Sequence, residues 1–295
     1  MKNRAKKSLW GMFSIIGFSI FALFTVCLIV PIIWTLFTTL KDVNDFRDNL
    51  FGLPSEWHFE NYPFVLSRFK AEVEWGETTR YVYFLEMLGN TFLYAGVGSL
   101  ICIICHYIVA YCCALYDYKF SRLVYMTVVV TMAIPIVGAD SSRLQLLLQL
   151  DMYDNWPGFF FQRFSFTGIY FLVLYETIRA KPKTILEAAE IDGANRLECM
   201  WQIMLPQVIN TLGVILLLTF IGQWNEYQFA VMYMPNHPTL AYGLYSFNRV
   251  GDNEILRSIP LQLTGCMLLF FPMLILFICM HDKMMGDLSM GGLKE

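Results

Sequence analysis

An all-α polytopic membrane protein with six transmembrane helices and both termini in the cytoplasm is the architecture this sequence predicts, on three observations. Hydrophobic residues make up 57% of the chain and charged residues 15%, with a mean hydropathy of +0.50, too apolar for an ordinary soluble domain. Long apolar runs alternate with brief polar connections. The N-terminus and the late polar loop are rich in Lys and Arg while the first long connection is acidic, and by the positive-inside rule this sets the orientation. The net charge of −3 and the lack of a basic face give no reason to expect nucleic acid as a partner. The eight cysteines read as free thiols rather than a disulfide framework, and no Cys and His spacing suggests a metal site.

Residues 1–40 hold the basic start, with Lys2, Arg4, Lys6 and Lys7, and a charge-free run from Ser8 to Leu40. That run is far longer than the apolar core of a signal peptide and predicts an uncleaved first span. Residues 41–86 form an acidic outer loop. Residues 87–281 hold five further spans. The second, from Met87 to Tyr116, carries Gly89, Gly96, Gly98 and Ser99, small residues that let helices approach, and His106, read as a neutral imidazole bonded across helices.

The third span runs from Leu123 towards Ala139, with Pro135 breaking its outer part, and the LQLLLQL segment after it is placed at the outer interface. The fourth is predicted from Trp156 to Ile178, with Arg163 snorkelling to the surface. The fifth starts near Val208 and ends in Trp224, Asn225, Glu226 and Tyr227, read as translocation path or permease interface, because an intramembrane carboxylate needs a wet cavity or a partner. Tyr233 to Arg257 is an outer loop, the sixth span covers Ser258 to Met280, and residues 282–295 are a cytoplasmic tail.

Within residues 180–206 lies a long polar interruption, KPKTILEAAEIDGANRLECMWQIMLP from Lys181 to Pro206. Thr184 with Glu187 three residues on predicts a capping box and a helix from Ile185, and Gly193 is the residue able to end it in a left-handed cap. Asn195 with Glu198 offers a second start. So short a helix is unstable alone, and Ala188, Ala189 and Ala194 let its backbone come close to a receiving groove.

Glu187, Ala188, Ala189, Asp192, Gly193, Ala194, Leu205 and Pro206 stand where E-A-A, D-G-A and L-P stand in the loop that defines permease subunits of binding-protein-dependent ABC importers. The chain resembles that family, with Met200 where an aromatic is usual. Leu40, Lys41, Asn61, Tyr62, Asn90, the Trp224 to Glu226 triplet, Thr239, Leu240 and the glycine-rich tail are similar to its sugar-importer branch, in particular the second permease of maltose-type systems. Gly291, Gly292, Leu293, Lys294 and Glu295 depart from the usual ending, and the stretch from Val73 to Phe84 is inserted.

The resemblance implies a type I ABC importer permease fold and one half of a heterodimeric channel. The expected partners are a second permease, a cytoplasmic ATPase dimer, an extracytoplasmic sugar-binding protein, the sugar and membrane lipid. It implies no catalytic residue and no cofactor in this chain, with ATP and Mg bound by the partner ATPase. The missing G-x-x-x-x-G-K-[ST] loop agrees with this. It also implies contacts from Gly291, Gly292 and Lys294 in the tail. The residues alone leave open an ion-coupled secondary transporter working through Glu226 or His106, although no internal repeat of the kind common there is evident. No nucleophile and base favour an intramembrane enzyme.

Overall fold

The computed structural model describes residues 2–76, 78–116, 118–134, 138–250 and 258–285. Pro135, Gly251 and the tail residues Gly291, Gly292 and Lys294 lie outside them. The protein divides into two units, Met1–Phe69 with Phe247–Phe270, and Lys70–Ser246 with Phe271–Glu295.

The first unit begins with α1 (Lys2–Thr38), followed by α2 (Val43–Asp48) and α3 (Asn61–Arg68). From Ser14 onward α1 is apolar and largely uncovered by the rest of the chain. Its end is tied down. The Asn61 amide donates to the carbonyls of Thr39 (2.8 Å) and Lys41 (3.0 Å), and the Tyr62 hydroxyl meets Thr39 Oγ1 at 2.9 Å. Lys41 is buried, and its ammonium donates to the Asn49 carbonyl. In the same loop Asp45 accepts the backbone N–H (3.0 Å) and hydroxyl (2.7 Å) of Ser55, which holds its carboxyl below the usual range.

The second unit opens with an element that corrects the all-α expectation. Strands β1 (Lys70–Trp75) and β2 (Thr78–Tyr83) pair antiparallel, Glu72 opposite Tyr81 and Trp75 opposite Thr78. Ala71, Val73 and Val82 are buried while Glu72, Glu74, Tyr81 and Tyr83 are exposed, the period of two that a half-covered strand requires. Gly76 turns the chain at φ +65. The segment that looked like an insertion is this hairpin.

The spans follow. α4 (Phe84–Phe92) continues through a π-helical segment, Leu93–Val97, into α5 (Gly98–Leu115). α6 is Lys119–Ala133 and α7 is Ala139–Gln149. The predicted fourth span is two helices, α8 (Trp156–Arg163) and α9 (Ile169–Arg179), because residues 164–168 leave helical geometry and Gly168 takes φ +127. α10 (Thr184–Ile191) and α11 (Arg196–Glu198) lie in the polar loop. A second π-helical segment, Cys199–Met204, leads into α12 (Leu205–Asn225), so the apolar helix starts at Arg196 rather than near Val208. α13 (Gln228–Tyr233), α14 (Leu240–Val250) and α15 (Ile259–Met285) complete the chain, and α14 puts helix where a loop was expected. Among the described residues four helices are long and apolar enough to cross a membrane, Ser14–Thr38, Phe84–Leu115, Arg196–Asn225 and Ile259–Cys279.

The core of the second unit is where α5 packs against α9 and α12. Tyr107, Tyr111, Phe171, Leu174, Ile178, Val208, Leu212 and Ile215 fill it, together with Met200 and Met204 of the π-helical segment. Of the small residues in the second span, Gly98 is the one that close packing demands: a Cβ there would stand 3.1 Å from the Phe159 ring. His106 is buried, but its Nδ1 bonds the Cys102 carbonyl of its own helix at 2.7 Å rather than reaching across helices.

Candidate functional site

The polar loop is built from local bonds. α10 ends in a full Schellman motif: the Ala194 N–H donates to the Ala189 carbonyl (2.9 Å) and Gly193 N–H to Glu190 carbonyl (3.1 Å), with Gly193 at φ +96. At the second start the Asn195 carboxamide accepts the N–H groups of Leu197 and Glu198, both at 3.0 Å, and the Glu198 carboxylate accepts the Asn195 N–H at 2.7 Å. The capping box expected at Thr184 does not form. Lys183, preceding α10, is already in helical geometry, so the Thr184 side chain is inside the helix and faces no free N–H.

What the loop presents is bare. No residue of α10 is buried, and Ile185, Ile191 and Leu197 are exposed, Ile191 to 86%. Glu187, Ala188, Asp192 and Gly193 are exposed, and Ala189 and Ala194 half-covered. Leu186 turns the other way, onto the core of the unit, together with Leu205. Pro206 stands at the second residue of α12, directly after the π-helical segment.

A second region lies at the other end of α12. There the chain leaves helical geometry at Glu226, whose carboxylate accepts the N–H groups of Gln228 (2.9 Å) and Phe229 (3.2 Å) and so caps α13. Glu226 and Tyr227 line an open cavity of about 670 Å³. Trp224 does not. Its ring is buried between Phe92 (5.3 Å) and Phe220 (5.7 Å), and Asn225 folds back on the Ile221 carbonyl. The cavity also takes Asp140, Arg143, Tyr233 and Tyr245, which sequence reasoning missed. Tyr233 donates to the Asp140 carboxylate at 2.9 Å, and Tyr227 stacks on Tyr245 at 4.8 Å. No local signal marks these residues, since they meet only after the chain has folded back.

Beneath this cavity Arg163 corrects the snorkelling expectation. Its guanidinium donates to the Tyr94 hydroxyl at 2.7 Å and lies 4.7 Å from the Phe159 ring and 4.4 Å from that of Phe229. Nearby, Asp154 accepts from the Asn236 backbone (3.1 Å) and side chain (2.6 Å), and Asn90 donates to the Pro238 carbonyl at 3.1 Å. Thr91 accepts the Leu240 N–H at 2.8 Å, so Asn90 and the Thr239–Leu240 pair are brought to one place. Among the described residues no cluster of His, Cys, Asp and Glu could hold a metal.

Residues 106–282 match the family described as "Binding-protein-dependent transport system inner membrane component". The chain is 23% identical over 293 residues to the diacetylchitobiose uptake system permease protein NgcG of Streptomyces coelicolor, covering 98% of this chain and 91% of that protein. It is 24% identical over 209 residues to the melibiose/raffinose/stachyose import permease protein MelC of Bacillus subtilis, covering 70% and 74%. Among solved structures it is similar to a chain in the crystal structure of a bacterial ABC transporter involved in the import of the acidic polysaccharide alginate. The TM-score is 0.75 at 20% identity, covering 92% of this chain and 96% of the other.

Proposed function

The chain belongs to the inner membrane components of binding-protein-dependent transport systems, and from that membership we propose that it forms half of the channel through which an ABC importer takes up a sugar or oligosaccharide. As such a component it is a non-catalytic multi-pass permease of the inner membrane, working with an ATPase and a binding protein. The relatives NgcG and MelC, both named as permeases for saccharides, support the substrate class.

The observation that carries the mechanism is the uncovered α10. Its C-terminal end is capped by its own loop, yet Ile185, Ile191 and Leu197 remain exposed, which suits a helix lying in another protein's groove. In this reading Glu187, Ala188, Ala189, Asp192, Gly193, Ala194, Leu205 and Pro206 form the docking segment for one subunit of a cytoplasmic ATPase dimer, which binds ATP and Mg. The chain crosses the membrane six times with both ends inside, α6 and the α8–α9 pair supplying the two shorter crossings. A second permease closes the other half of the channel, and the bare face of α1 is left for it and for lipid. Glu226 and Tyr227 line the path or that interface, and the channel opens alternately to either side.

Purification in mild detergent should bring down an ATPase and a second membrane subunit, and the reconstituted complex should take up labelled raffinose or chitobiose only with ATP and a binding protein. A lone subunit whose sugar flux follows an ion gradient would overturn the proposal. Glu226→Gln should leave assembly intact and alter uptake; a Glu226→Leu protein that transports like the parent removes Glu226 from the path.

A further inference from the structure

Two helices of the second unit are each preceded by a π-helical segment, and each sends a polar side chain into the segment that precedes the other. From α5, the buried Tyr107 donates its hydroxyl proton to the carbonyl of Met200, in the segment before α12. From α12, the buried Gln223 sets its carboxamide between the Tyr94 carbonyl, in the segment before α5, and the Ser99 N–H in the first turn of α5; with the amide oriented by these two partners, its nitrogen donates to Tyr94 at 3.1 Å and its oxygen accepts from Ser99 at 3.2 Å. The two bonds sit at opposite ends of α12, whose 21 residues span about 30 Å.

The ends they tie are the two regions described above. Met200 follows the capping box at Asn195 and Glu198, so the Tyr107 bond holds the base of the docking loop. Gln223 is one turn before Glu226. Its partner Tyr94 carries on its hydroxyl the bond from Arg163, and its ring packs 4.4 Å from Phe159 and 6.2 Å from the cavity residue Phe229. π-helical turns are the places where a long helix can change register, and they recur at functional sites. A push on the docking loop would be absorbed there unless the turn is pinned. A buried amide is also a costly way to fill space, since Leu would pack without polar groups to satisfy.

Gly98 is part of the same arrangement. A Cβ on it would stand 2.4 Å from the Gln223 amide, so this bond requires a bare backbone at that position.

We infer that Tyr107 and Gln223 are positioning residues that brace α5 against α12 at both π-helical turns, so that movement of the docking loop reaches the cavity wall instead of being lost within the helices. This rests on the reading of α10 and its flanks as the ATPase-docking segment.

The test uses the whole complex in lipid, with native cysteines replaced and a single reporter cysteine at Met232 in the cavity wall. The readout is the change in labelling rate by a membrane-impermeant maleimide when the ATPase is trapped with ATP and vanadate, a response that needs no sugar. Tyr107→Phe and Gln223→Leu should each reduce that change about five-fold, the scale by which one lost buried hydrogen bond biases a two-state element. Assembly and basal ATP hydrolysis should stay at parental values. Gly98→Ala should reproduce Gln223→Leu, and Gln223→Glu, which keeps the acceptor for Ser99, should recover part of the response. A full response in Tyr107→Phe and Gln223→Leu overturns the inference. So does a loss of response in strict proportion to a loss of assembly, which would make both bonds merely structural. Gly193→Asp serves as the control for docking itself: a full response there refutes the docking reading, while a lost response there beside a full one in Tyr107→Phe refutes the brace alone.

Discussion

The polar loop of residues 181–206 and the aromatic region around Arg163 are held together in opposite ways. In the loop every capping bond closes within a few residues, Asn195 to Glu198 and Ala194 to Ala189, and Ile185, Ile191 and Leu197 are left outside. Under the cavity the bonds join residues far apart in the chain, 69 positions for Arg163 with Tyr94, 82 for Asn236 with Asp154 and 93 for Tyr233 with Asp140. A segment that keeps its own shape can present a surface to another protein without help from the core. A cavity wall made of distant residues exists only while the spans that bring them together stay in place, so it can be opened or closed by moving those spans.

Several substitutions would break or sharpen this contrast. The largest effect is expected at Gly193. Because φ is +96 with open space around the Cα, Gly193→Ala should cost only about 1 kcal/mol of local strain, whereas Gly193→Asp also puts bulk and charge on the proposed docking surface. The Asp variant should insert in normal amount and keep the second permease, but lose the ATPase or its stimulation by loaded binding protein. A pull-down beside an ATPase assay in the same membranes checks this, and retention of both would mean that the loop does not dock.

At the other region, Arg163→Leu should lower stability by about 2 kcal/mol, since it leaves the Tyr94 hydroxyl without its donor and removes a cation from three aromatic faces. Arg163→Lys should retain part of that. Unfolding followed in detergent would show it, and an unchanged Arg163→Leu midpoint would mean the cluster is held by its rings alone.

A smaller effect separates the two capping signals in the loop. Asn195→Ala should cost about 1 kcal/mol, read as faster hydrogen exchange at the Leu197 and Glu198 amides, while Thr184→Ala should leave exchange in α10 unchanged. Equal effects would restore the first capping box.

The smallest is a local pH response in the loop that follows α1. His58 Nδ1 lies 2.6 Å from the Glu60 carboxylate, and this hydrogen bond raises the imidazole pKa above its ordinary 6.5 while lowering that of Glu60 below its ordinary 4.5. The pair's contribution is therefore complete between those two ordinary values. It fades as pH rises through the raised His58 pKa, and again as pH falls through the lowered Glu60 pKa. An NMR titration of the His58 ring should give a midpoint above 6.5 that returns towards it in Glu60→Gln; a midpoint at or below 6.5 in the parent would remove the interaction.

The same contrast explains what could be read from residues in order. The loop was legible because its determinants are adjacent: a glycine that must turn left-handed, an Asn with its Glu three residues on, small residues between them. Thr184 misled because a capping motif says nothing of whether the preceding residue, here Lys183, is already helical. The apolar runs gave the long helices, but apolarity does not distinguish a continuous helix from one broken at residues 164–168, where Gly168 leaves helical space. Arg163 was misplaced for a related reason, since its partners Tyr94 and Phe229 lie in other helices. The hairpin had an alternating signal, Ala71, Val73 and Val82 against Glu72, Glu74 and Tyr81, that an expectation of helices alone passed over.

That hairpin offers a handle on the intact protein. Its turn at Gly76 is exposed, and a side chain added there would meet nothing within 4 Å, so the turn has room to carry foreign sequence. The strands behind it are paired along their length and do not depend on the turn's own side chains. In the proposed orientation, a short epitope placed directly after Gly76 should therefore leave the transporter working while staying within reach of an antibody on the side of the membrane away from the ATPase, and so would report in spheroplasts how much of the chain is inserted the right way round.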